Sequence, residues 1–141
     1  MVRTTVGPAE VAGPVLAGIM AAATAEDVLR CCFAEAGRRE VGVRVLLAGP
    51  VPEAGVDVLV GDLVDRWAEK HPAVPVTVEV RRGLDAAITL TAATLHCGLV
   101  VVAEPADAQE AAVAHALARR AHCPLVVAPP HLGPVEVRPG P

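Results

Sequence analysis

With 141 residues, the chain has room for one domain with a core of its own. Hydrophobic residues make up 53%, yet there is one Trp, one Phe and no Tyr, so Val, Leu and Ala must build that core. A net charge of −4 argues against a nucleic-acid binder, and the chain has a single lysine (Lys70) and neither Ser nor Asn. That composition excludes a serine nucleophile and a lysine-bearing phosphate loop.

Residues 1–13 and 130–141, rich in Pro and Gly, read as flexible ends around a single domain at 14–129. Within it, strand and helix signals alternate. "PVLAGI" (Pro14 to Ile19) is a continuous apolar run, as in a strand buried on both faces. Thr24 then has the chemistry of an N-cap, with Asp27 three residues on, and Ala25, Val28, Leu29, Cys32 and Ala36 recur at helical spacing. Gly37 and the arginines after it suit the end of that helix. "VRVLLAG" (Val43 to Gly49) is a second strand, and Val56, Leu59, Val60, Leu63, Val64 and Trp67 trace the next helix, closed by His71-Pro72.

Val76, Val78 and Val80 then alternate with Thr77, Glu79 and Arg81, the pattern of an edge strand with one wetter face. Gly83 leads into a helix from Leu84 to about His96. "LVVVA" (Leu99 to Ala103) is the fourth strand, Ala108 to Ala121 the fourth helix, and "PLVVA" (Pro124 to Ala128) the fifth strand. The connections are long enough for crossover helices. The rhythm therefore predicts an α/β fold, a doubly wound parallel sheet with helices on both faces. In such sheets ligands bind beyond the carboxyl ends of the strands, where the winding reverses.

Several chemistries fail on inspection. A phosphate-accepting receiver domain needs acidic residues after the first strand and an Asp ending the third, where Met20 and Arg81-Arg82 stand. The dinucleotide fingerprint is absent, since "AGIMAAATAED" offers only Gly18. His96-Cys97 and His122-Cys123 precede neighbouring strands, so the four residues are candidate zinc ligands or, for the two thiols, a disulfide. Against that, their spacing matches no known finger, and cysteines in such places ordinarily fill core pockets. No metal is assigned. No apolar run reaches the ~18 residues that span a bilayer, and the start of the chain lacks a secretory h-region. The expectation is a cytoplasmic protein with no membrane or nucleic-acid partner.

Three stretches resemble the universal stress protein family: "LVDRWAEKHPAVPVTVEVRRG" (Leu63 to Gly83), "AATLHCGLVVVA" (Ala92 to Ala103) and "RRAHCPLVVAP" (Arg119 to Pro129). The resemblance extends more weakly to "PVLAGI" and "VRVLLAG", and covers residues 14–129. It implies five strands in the order 3-2-1-4-5. It also implies a homodimer through the fifth strand, at Leu125, Val126 and Val127, which would explain an edge with no charge of its own.

Nucleotide-binding members of that family carry an aspartate after the first strand. They also carry G-x-x-G, nine residues, then G-S or G-T, running from the fourth strand into its helix. Here Met20 stands at the aspartate position and Ala103 at the first glycine, and the Gly-Ser pair aligns with Ala111-Ala112. Ala103 and Ala111 are eight positions apart where the motif needs thirteen, and no glycine occurs from Leu99 to Leu132. Glu104, Asp107 and Glu110 add negative charge to the turn, which complements a helix N-terminus and repels a phosphate. The expectation is a non-catalytic, dimeric regulatory or interaction module that has lost the nucleotide site, takes no cofactor and acts on an unidentified protein partner. The alternative is a binder of an apolar or uncharged small molecule in the former crevice, among Met20, Ala103 and their neighbours.

Overall fold

The computed structural model describes residues 2–3, 13–52 and 54–130. The elements run β1 (Val2–Arg3), β2 (Val15–Ile19), α1 (Ala25–Arg39), β3 (Val43–Gly49), α2 (Val56–Lys70), β4 (Val76–Arg82), α3 (Ala86–Ala93), β5 (Leu99–Ala103), α4 (Ala108–Arg120) and β6 (Leu125–Ala128). They form one sheet in the order β1-β6-β5-β2-β3-β4. All pairs are parallel except β1 on β6, so the five strands read from the sequence stand in the order 3-2-1-4-5.

The all-apolar runs are the strands with neighbours on both sides. β2 is buried at every position, and β5 until its last residue, because helices cover both faces. Alternate side chains of each strand supply opposite layers. Val15, Ala17, Ile19, Val45, Leu47 and Val101 pack with α1 and α2 on one face. Leu16, Leu46, Ala48, Val100 and Val102 pack with α3 and α4 on the other. Phe33 of α1 meets Trp67 and His71 at ring-centroid distances of 6.4 and 5.3 Å, fastening the end of α2 to α1.

Four local expectations need correction. Thr24 precedes α1, but its side chain makes no capping bond; a single 3₁₀ turn, Ala22–Thr24, feeds the helix, and Asp27 pairs with Arg30 at 3.2 Å. Helix α1 runs past Gly37 and ends at Glu40, which takes the left-handed conformation (φ 62°) that glycine usually fills. On β4 the apolar face is not covered: Val78 and Val80 are 48% and 49% exposed.

The fourth concerns the ends. Of the segments expected to be flexible, residues 4–12 and 131–141 lie outside the described residues, as does Met1. Val2 and Arg3, however, form a strand, pairing with Val126 and Leu125. The edge assigned to a second copy at Leu125, Val126 and Val127 is therefore covered over its first two residues by the chain itself. A two-residue strand cut off by Gly and Pro carries no periodicity to detect. Among the described residues no helix is long and apolar enough to cross a membrane.

Candidate functional site

The winding reverses between β2 and β5, which are paired with each other at the centre of the sheet. Met20 leaves β2 half-buried and packs against the α3–α4 layer, while Ala103, ending β5, packs against the α1–α2 layer. The two candidate positions thus flank the switch point, but each closes its own layer and neither offers a polar group.

The turn from β5 to α4 decides what the crevice can hold. A helix N-terminus presents backbone N–H groups with no partner inside the helix, and these are what a phosphate would take. Here the chain's own carboxylates take two of the N–H groups in the turn. Asp107 is the N-cap, and its Oδ1 accepts the Glu110 N–H at 2.8 Å. Glu110 reaches back, and its Oε1 accepts the Ala106 N–H at 2.9 Å. The arrangement is a capping box displaced by one residue. Ala111 and Ala112, aligned with the Gly-Ser pair, lie beyond the cap inside α4. The Ala111 N–H already donates to Asp107 O at 3.0 Å. The shortened turn has drawn those positions into the helix, away from its end.

A cleft of about 520 Å³ opens beside this turn, beyond the carboxyl ends of β3 and β4 rather than β2 and β5. Gly49 to Val51, Gly83 to Ala87, and Gln109, Ala112 and Val113 line it. Of the positions picked out in the sequence only Ala112 reaches it; Met20, Ala103 and Ala111 do not. Next to the lining residue Gly83, Arg82 has a side chain 8% exposed that donates to Ala48 O at 2.7 Å and to Asp57 at 2.8 Å. Among the described residues Asp85 supplies the one charged side chain in the lining, and it caps α3 by accepting the Ile88 N–H at 3.0 Å. The sequence signal for this cleft was the pair of turn glycines, Gly49 and Gly83, both at positive φ (105° and 85°) where strands end.

The histidine–cysteine pairs lie at the opposite end of the sheet. Cys97 is buried and its thiol donates to Ala93 O at 3.3 Å. Cys123 is half-buried, and burial, with Cys97 nearby as a smaller cause, pushes its thiol up to about 12. His96 and His122 are exposed; the His122 backbone N–H donates to the buried Thr94 hydroxyl at 3.0 Å. The two thiols come together and the two imidazoles do not join them. Among the described residues no three His, Cys, Asp or Glu side chains gather as metal ligands, and all four cysteines are free.

No family sequence profile matches the chain, and no curated protein does. The fold does have relatives among solved structures. A universal stress protein in complex with cAMP superposes with a TM-score of 0.65 at 16% identity, covering 86% of this chain and 99% of the other. One from Archaeoglobus fulgidus in complex with dAMP gives 0.60 at 16%, covering 84% and 98%. One from Lactobacillus plantarum gives 0.57 at 14%, covering 83% and 97%. The chain has the fold of the universal stress proteins, as the stretches around Trp67, Cys97 and Cys123 imply.

Proposed function

We propose that the chain, a single domain at 14–129, is a universal-stress-protein-like module that takes no ATP at the switch point. It acts in the cytoplasm without catalysis, as a homodimer in stress-linked regulation through contact with other proteins. One observation carries this reading. Asp107 and Glu110 occupy, with their own carboxylates, backbone donors that a phosphate would need. An incoming triphosphate would have to displace both carboxylates while repelled by them and by Glu104, which stands in the same β5–α4 turn. Solved relatives of this fold are in complex with cAMP and dAMP, which supports attributing the proposed loss to this turn and not to the architecture.

Calorimetry of the protein with ATP, AMP and cAMP tests it. The expected result is no heat of binding for any of the three; micromolar binding of one would overturn the reading.

A second reading is favoured by the cleft. Its lining is apolar apart from Gln109 and Asp85, which suits an uncharged or weakly basic small molecule and not a phosphate. Density for a co-purified compound between Gly49 and Gly83 in a crystal would favour this reading over the first.

A further inference from the structure

The two edges of the sheet are unlike. β6 carries β1, whereas β4 has no strand beyond it among the described residues. Which backbone groups β4 presents outward follows from its pairing. The Val43 N–H donates to Pro75 O at 2.8 Å, the Gly83 N–H donates to Gly49 O at 2.9 Å, and the register between is unbroken. In a parallel ladder alternate residues address the same neighbour. Pro75, Thr77, Glu79, Arg81 and Gly83 therefore turn to β3, and Val76, Val78, Val80 and Arg82 turn their N–H and C=O groups outward. Val78 and Val80 are also half-exposed on their side chains. The strand has seven residues and no proline, lysine or bulge; Glu79, Arg81 and Arg82 charge it, so any strand added to it must match those charges.

We propose that such a strand comes from a second copy of the chain, β4 against β4, antiparallel about a two-fold axis through Val80. The charges choose the register. An axis through Glu79 would oppose two Glu79 carboxylates, and one through Arg81 would oppose two guanidinium groups. An axis through Val78 would set Glu79 against Thr77 and leave Arg81 opposite Pro75. Only the axis through Val80 sets Glu79 opposite the partner's Arg81, twice, with Val80 facing itself. In that alignment the outward residues form the hydrogen-bonded pairs. Glu79 and Arg81 then meet in the closer, non-hydrogen-bonded pairs, where side chains interact most. Within its own chain Glu79 pairs with Arg44 at 3.0 Å and with Arg81 at 2.6 Å, and in the dimer Arg81 exchanges this partner for the Glu79 of the second copy. The contact is isologous and closes at two copies, joining two sheets into one. It is independent of what the crevice binds.

Light scattering of the full chain and two charge variants at micromolar concentration tests it. Wild type is expected to be a dimer. Glu79→Arg makes every charge of the pair positive and Arg81→Glu makes every charge negative, so each alone is expected to dimerise at least about tenfold more weakly. Mixed, the two variants regain complementarity at both pairs and are expected to form a one-to-one heterodimer. A monomeric wild type, a single variant that dimerises as well as wild type, or a mixture that stays monomeric would each overturn the proposal. Should Glu79→Arg lose its fold beside Arg44, Val80→Lys on the axis gives the same reading. A folded monomer supports the pairing and an undiminished dimer rejects it.

Discussion

Asp107 shows how one side chain can decide the character of a site. It satisfies the Glu110 N–H as the N-cap of α4, and its charge complements the positive end of the helix. Asp107→Ala should therefore lower stability by about 1 kcal/mol, the usual value of such a cap, measured by urea unfolding. Cys123 makes the second residue-scale case. Burial first, and then the nearby Cys97, holds its thiol at about 12 against an ordinary 9.0. Between those values the unfolded chain releases a proton that the folded chain keeps. Stability is therefore full below pH 9 and falls as the pH rises toward 12. The fall should be shallower in Cys123→Ala, compared by urea midpoints at neutral and alkaline pH. Cys31, Cys32 and Cys97, also raised mainly by burial, will keep part of the slope in that variant.

At the scale of elements, close approach is what sets the strand registers. A Cβ on Gly42 would stand 2.9 Å from Pro75 O, the carbonyl that accepts the Val43 N–H where β3 and β4 begin to pair. Gly42→Ala should cost about 1–3 kcal/mol, since backbone and not a flexible side chain must move. Gly61→Ala is the control: it lies inside α2 with nothing near its Cβ, and should stabilise by roughly 0.5–1 kcal/mol. A fall in thermal midpoint for the first and a rise for the second would bear this out. Most elements were legible because each apolar run matched a single period: β2, β3 and β5 read as buried strands, and Val60 and Val64 marked the inner face of α2. What could not be read was set by geometry outside the local window. Glu40 takes a glycine's conformation because α1 must turn sharply toward β3. Ile88 stays exposed on α3, whose uncharged AAITLTAA run shows no stripe that tells inside from outside, and Leu84 is exposed in the bend before it.

For the whole molecule, the candidate site was legible by subtraction only. Met20, Ala103, Ala111 and Ala112 mark where polar groups are missing, and missing groups specify no replacement. The cleft beside the β5–α4 turn lies one strand over, beyond β3 and β4. It is assembled from three segments distant in sequence, so no motif spans it. Arg82 illustrates the limit: paired with Arg81 in the sequence it looks like a solvated cap, yet it is nearly buried and ties β4 to α2 and β3. The sheet's two edges complete this scale: β1 covers β6 at Leu125 and Val126, and among the described residues no strand lies beyond β4.

The edge covered by β1 also fixes an order of events. Val2 lies beside Val126, although nearly the whole chain separates them. Their ladder cannot nucleate locally; it must wait until β6 has been made and has docked on β5. Strand β1, so far from its partner in sequence, is thus among the last elements to find its place. With only two residue pairs to hold it, it is also among the first to let go. During that interval the Leu125–Val126 edge is bare, and crowded, half-folded copies are most vulnerable to mispairing there.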